Sequence, residues 1–221
     1  MSPRSYQMRV CQNPACGLRY PLLENHPFGE RCPACLGETR AVLTVDLSLA
    51  PEAAAAPGSR RGSVLLDNLR SAWNVGSILR SADGLGFQHA YLCGITPTPQ
   101  SVEVRKTALG AENQVSWSAH RDGVKLARAL EGAGGILLAL ETAPEAVPLS
   151  DLELESYTPE KIILVLGNER TGVDPSILQA AHRVVSIPMR GQKRSINVAS
   201  AFAVAGYQIQ MKMRDRTNGR P

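Results

Sequence analysis

From residue 63 to about residue 211 the chain alternates short apolar runs with stretches of helical periodicity. Residues 64–66 are apolar and end in polar Asp67 and Asn68. Val75, Ile78, Leu79, Ala82 and Leu85 then recur at helical spacing, with Asn74 placed to cap the helix and Gly84 and Gly86 to loosen and end it. Residues 90–93 predict a second strand, which leaves through the turn-rich segment 94–99. Asp122 opens a helix that turns Val124, Ala127 and Leu130 inward and stops at Gly132, Gly134 and Gly135. Residues 136–140, 161–166 and 184–187 read as buried strands. Ser195 starts a last helix that runs through about Met211. Strands alternating with helices predict an α/β fold, a mostly parallel sheet with helices on both faces. Ligands of such sheets bind at the carboxyl ends of the strands. That rule singles out residues 67–74, 141–142, 167–172 and 188–197.

The segment before residue 63 follows neither rhythm. Residues 47–62, LSLAPEAAAAPGSRRG, have the Ala/Pro/Gly/Ser composition of a linker. Residues 1–46 hold four of the five cysteines, spaced as Cys11-x4-Cys16 and, fifteen residues later, Cys32-x2-Cys35. Two closely spaced pairs are the pattern of a four-thiolate zinc site, and residues 1–46 are too few to build a sufficient core without metal. A small zinc ribbon is the expectation, with Cys11, Cys16, Cys32 and Cys35 as ligands and His26 as a substitute. Cys93, at a strand end, reads as a small buried core residue.

Charge sharpens the picture only locally. The formal net charge is +4. Its cations gather in the segment 211–220 (Lys212, Arg214, Arg216, Arg220 against Asp215), at Arg60 and Arg61, and at Arg190, Lys193 and Arg194. In the ribbon Arg4, Arg9, Arg19, Arg31 and Arg40 stand against Glu24, Glu30 and Glu38. Clustered cations suit a polyanion such as RNA, although basic ends are commonly just solvated. No apolar run reaches the roughly 20 residues of a spanning helix, and residues 1–17 lack the apolar centre of a secretory signal. A cytoplasmic protein without a membrane partner is expected.

Three polar loops stand at the ends of predicted strands. The first, DNLRSAWNVGSILR, carries Asn68, Asn74, Gly76 and Arg80. The second, Gly167 to Gly172, carries Glu169 and Arg170. The third, IPMRGQKRSIN, carries Arg190, Lys193, Arg194, Ser195 and Asn197. Taken singly, Asn74 and Ser195 read as helix caps and Glu169 as a surface carboxylate paired with Arg170. Together they outline one crevice. The chain has no GxGxxG opening the first strand–helix unit and no GxxxxGK[ST], so dinucleotide and P-loop chemistry lack support. None of His26, His89, His120 and His182 sits in these loops, which argues against a Ser-His-acid hydrolase.

DNLRSAWNVGSILRSADGLGF, LVLGNERTGVD and IPMRGQKRSINVASAFAVA resemble, in order and spacing, the three motifs of the SpoU/TrmH-type branch of the SPOUT RNA methyltransferases. The resemblance covers residues 63–211; KTALGAE (106–112) and ALET (139–142) share it. Ile196 stands where leucine is usual, and the ribbon lies outside the family's common core. The resemblance implies a C-terminal trefoil knot, a homodimer, and S-adenosylmethionine held by Leu140, Glu141, Gly167, Ile187, Met189, Ser195, Asn197 and Val198. It places Asn74, Arg80, Glu169, Ser195 and Asn197 at the catalytic positions; beyond it, the charge pattern leaves residues 212–221 as a basic tail.

The activity implied is methylation of a ribose 2′-hydroxyl in tRNA or rRNA. A non-catalytic RNA-binding module on the same fold and a SPOUT base methyltransferase are the alternatives. Arg80 is expected nearest the 2′-hydroxyl. The family's usual proposal makes it a general base; guanidinium stays protonated at ordinary pH, so stabilising a developing alkoxide or gripping a phosphate is an equal alternative.

Overall fold

The computed structural model describes residues 5–24, 26, 29–47, 61–154 and 156–217, the last four without their side chains. The chain divides into two compact units, Met1–Ala56 and Pro57–Pro221. Most of the predicted linker (48–60, with Arg60), together with Arg4, Arg220 and the side chains of Arg214, Asp215 and Arg216, lies outside the described residues.

In the larger unit seven strands form one parallel sheet. These are β4 (Ser63–Asp67), β5 (His89–Cys93), β6 (Ser116–His120), β7 (Ile136–Leu140), β8 (Val147–Pro148), β9 (Ile162–Leu166) and β10 (Arg183–Ser186), in the order β6-β5-β4-β9-β7-β10-β8. The numbering starts at β4 because the smaller unit supplies β1 (Ser5–Cys11), β2 (Arg19–Leu23) and β3 (Thr39–Asp46), an antiparallel sheet with β1 at its centre.

The apolar runs mark strands covered on both sides. In β4, Val64 and Leu66 join one core while Leu65 joins the other; in β9, Ile162, Leu164 and Leu166 go one way and Ile163 and Val165 the other. With a side-chain period of two and both faces buried, the interior positions are apolar on both sides, and in β4 only the end residues Ser63 and Asp67 are polar. The first core is closed by α1 (Ala72–Leu85), α2 (Val102–Ala108) and α5 (Val198–Thr217), the second by α3 (Gly123–Gly132) and α4 (Pro175–Ala180). Phe202 of α5 packs on Phe87 in the connection between α1 and β5, with ring centroids 5.2 Å apart.

Two helix starts differ from the sequence expectation. Ser71, not Asn74, caps α1: its hydroxyl accepts from the Asn74 amide at 3.3 Å. α5 begins at Val198, and Asn197 caps it by accepting from the Ala199 amide at 2.9 Å, so Ser195 stays in the loop. α5 also runs past Met211 to Thr217. No glycine or proline interrupts that stretch, Met213 is buried, and Lys212 donates to the Ser150 carbonyl at 2.9 Å.

The sheet also gathers two histidines that look unrelated in sequence. The Ser118 hydroxyl lies 2.9 Å from His89 Nε2 and 2.8 Å from His120 Nε2. Burial, with the charge of His120 adding, pushes the His89 pKa below its ordinary value. The folded state therefore binds a proton less readily than the unfolded chain. Its stability is complete above the unfolded value of about 6.5 and falls as pH drops below it. The apparent melting temperature should fall between pH 7 and pH 5, and His89→Gln should flatten that slope.

Candidate active site and metal centre

The site is built at the carboxyl ends of β4, β7, β9 and β10. β4 ends in buried Asp67, whose carboxylate accepts from the Asp174 amide at 3.0 Å and the Asn68 side-chain amide at 2.8 Å. Burial raises the Asp67 pKa, and the charge of Asp174 adds to it against those two hydrogen bonds. Asn68 sits at φ 56°, the left-handed region that asparagine tolerates better than most residues. Its carbonyl accepts from the Asn168 side chain at 2.6 Å, so the first loop is tied to the second at its root.

The second loop folds back on itself. Asn168 and Gly172 exchange backbone hydrogen bonds at 3.0 and 2.9 Å, and the Asn168 side chain accepts from the Arg170 amide at 2.9 Å. Glu141, at the end of β7, brackets this loop by accepting from the Val173 amide at 3.0 Å. Its carboxylate occupies the space a side chain on Gly172 would take: a Cβ there would lie 2.2 Å from Oε2, at φ 74°.

Glu169 points back to the first loop. Its carboxylate accepts from the Arg70 amide (2.9 Å), the Ser71 amide (3.1 Å) and the Asn74 side-chain amide (2.9 Å). Partial burial works to raise its pKa, but these donors outweigh it and hold the group below the ordinary carboxylate range. Glu169 is thus an anion with its lone pairs engaged, a clamp rather than a proton carrier. The Asn74 oxygen accepts from the Asn197 side chain at 3.0 Å. One chain of hydrogen bonds, Asn197 to Asn74 to Glu169, joins all three loops, and pairing of Glu169 with Arg170 is not what holds it.

Beside this chain lies a cavity of about 430 Å³, inside the range of roughly 300–1,000 Å³ usual for ligand pockets. Leu140, Glu141, Gly167, Ile187, Met189, Ser195, Asn197 and Val198, the eight expected cofactor residues, all line it, and Glu169 does too. Thr142, Asn168 and Arg194 line it as well; they fall in the segments 141–142, 167–172 and 188–197 that the strand-end rule picks out, but not among the named cofactor residues. The turn-forming GNERTG pattern was the available signal for Asn168.

Arg80 stands apart. It is exposed on α1 and lines a separate cleft with Ser77, Ser81, Lys106, Thr107 and Leu109. Six residues of helix place it roughly 240° around and about 9 Å along from Asn74. Within one chain it does not face the cavity.

Residues 62–207 match the family described as SpoU rRNA Methylase. The chain belongs to that family. The chain is similar to a tRNA (guanosine(18)-2′-O)-methyltransferase of Escherichia coli, 29% identical over 148 residues covering 67% of this chain and 62% of the relative. The enzyme of that name from Thermus thermophilus is 29% identical, covering 67% and 73%. Among solved structures, an AdoMet-bound rRNA methyltransferase from Sinorhizobium meliloti superposes with a TM-score of 0.63 at 25% identity, over 68% of this chain and 56% of that one. The chain thus spans less than two thirds of the E. coli relative and of the S. meliloti structure. Family and architecture agree: the mostly parallel seven-stranded sheet is that of the SPOUT neighbours.

In the smaller unit the Sγ atoms of Cys11, Cys16, Cys32 and Cys35 all lie within 4.8 Å of one another, and can hold a metal ion. Cys11 and Cys35 sulfurs are 3.4 Å apart, Cys16 and Cys32 3.7 Å. Tetrahedral zinc with thiolates at about 2.3 Å sets sulfurs about 3.8 Å apart, so the donor set fits it. Gly17 and Leu36, both at positive φ, close the two cysteine turns. Stripping the metal with a chelator should unfold β1–β3, seen as new protease sites there, while the melting transition of the larger unit stays put. Cys93 is inert by contrast: it is fully buried, and burial pushes its thiol up to about 12. Among the described residues, no helix is long and apolar enough to cross a membrane.

Proposed function

We propose that this chain transfers a methyl group from S-adenosylmethionine to a ribose 2′-hydroxyl of tRNA or rRNA in the cytoplasm, working as a homodimer with zinc in its ribbon. The observation that carries the reading is the hydrogen-bonded junction of Asn197, Asn74 and Glu169 at a cavity lined by the third loop. When bound, S-adenosylmethionine supplies a methyl group already activated on a sulfonium. The protein's task is therefore placement, which can supply several kcal/mol. Backbone and apolar groups of the second and third loops hold the cofactor, and the junction fixes both loops against α1. The C-terminal segment from Ile187 into α5 is taken to thread the trefoil knot, consistent with β9 lying between β4 and β7.

Arg80 reaches such a site only from a second copy. Its cleft shares Ser81 with an apolar groove between α1 and α5, where Val204 and Tyr207 are 48% and 57% exposed. Pairing through that groove is the arrangement we infer, with the partner subunit's Arg80 beside the ribose oxygen. There a guanidinium stabilises the developing alkoxide or grips the adjoining phosphate. Mass-spectrometric mapping of ribose methylation in RNA from cells with and without this protein tests the reading. One or more 2′-O-methyl sites should vanish; loss of a base methylation instead would assign the chain to base chemistry.

A further inference from the structure

The two faces of the ribbon's sheet differ sharply. On one, Arg9 is 5% exposed and donates to Thr39 Oγ1, Gln7 Oε1 and Glu30 Oε2, and buried Cys11 and Cys32 lie beneath the cysteine turns. The cysteine turns cover the Cys11 end of that face, while Ala41, Thr44 and Asp46 on the same side are exposed. The strand register places Tyr6, Met8 and Val10 on the opposite face, across from Leu43 and, at one end, from Arg19 and Arg40. Arg19 and Arg40 are both exposed and flank Val10 from β2 and β3, so their Cα atoms are about 10 Å apart. Leu43 is 52% exposed.

No strand position on this open face carries a carboxylate. Glu30 pairs with Arg9, Glu24 accepts from Ser5, and Asp46 stands opposite Ser5, all belonging to the other side. Glu38, exposed and two residues before Arg40, is the one acid at the border of the open face among the described residues. Arg19 and Arg40 therefore leave an aromatic and apolar platform with a cationic excess, which suits a polyanion. The geometry points to single-stranded RNA as the occupant of this face: a base stacked on Tyr6 and phosphates held by Arg19 and Arg40. Duplex RNA hides its base faces and leaves the platform unused. The assignment rests on the reading of the chain as an RNA enzyme and gives the ribbon a task within it, holding an unpaired segment of the substrate.

The test uses the full-length metal-loaded protein and a short fluorescein-labelled single-stranded RNA of mixed sequence, titrated across a salt series. Arg19→Gln with Arg40→Gln should weaken binding roughly tenfold at physiological salt and shallow the salt slope by about 1.4. Tyr6→Leu should weaken it to a similar degree with the slope unchanged, because stacking releases no counterions. Metal content and S-adenosylmethionine affinity, measured on the same samples, should match wild type. Wild-type affinity and slope in the arginine variant overturns the assignment and leaves the face to a protein partner, while methyl transfer to RNA by that variant keeps the enzymatic reading intact. A wild-type protein that binds the cofactor but no RNA overturns both.

Discussion

Arg80→Ala is expected to lower methyl transfer to RNA by about 10²–10³-fold, the usual effect of removing one donor from a developing oxyanion, with S-adenosylmethionine binding unchanged. The separation follows from geometry: Arg80 lines the cleft with Ser77 and Lys106, not the cavity of about 430 Å³. Single-turnover rates and calorimetric cofactor titration on the same variant check both halves. If the arginine is supplied by the other subunit, mixing Arg80→Ala with a variant disabled in the cavity should restore part of the activity. Arg80→Lys keeps the charge but not the planar fork, so its rate reports how much of the role is geometry.

Gly167→Ala should act at the opposite end of the site. A Cβ on Gly167 would lie 2.1 Å from the Gly172 carbonyl carbon and 2.1 Å from the Val173 nitrogen. Backbone cannot swing aside as a side chain can. The hairpin of residues 168–172 must move, and it carries Glu169 and the Val173 amide held by Glu141. A cost of about 1–3 kcal/mol in stability follows from overpacking. Methyl transfer should fall by at least about 100-fold, since a displacement near 1 Å of the positioning groups is enough for that, and cofactor affinity should fall with it. Calorimetry reads the affinity and thermal melting the stability.

Much of the larger unit was readable because its strands are buried on both faces. Residues 136–140 are apolar throughout, and the strand has those bounds. The polar loops could be located but not their bonding. Asn74 looks like a cap in sequence because it precedes the periodic apolar residues; the structure gives that task to Ser71, three residues earlier, and so frees Asn74 to bridge Glu169 and Asn197. Which asparagine caps and which bridges depends on partners 95 and 123 residues away. The same holds for Glu169, whose partners are backbone amides of the first loop, invisible to any side-chain pattern.

α2 escaped notice because its seven residues bury only Val104 and Ala108, too few to set a period. It is nonetheless closely packed. A Cβ on Gly76 of α1 would meet the Val104 carbonyl oxygen at 2.2 Å, so that glycine is there for helix contact, not for ligand approach. The separation of Arg80 from the cavity is the other feature that spacing along the chain does not reveal, since a helical turn count shows only that Asn74 and Arg80 face different ways.

Incubating the purified protein with methyl-labelled S-adenosylmethionine and total RNA, then digesting the RNA to nucleosides, measures directly what the three joined loops do. Label in one 2′-O-methylnucleoside is the result expected, lost in Arg80→Ala and in Gly167→Ala. Label on a base, or none in RNA despite a bound cofactor, contradicts it.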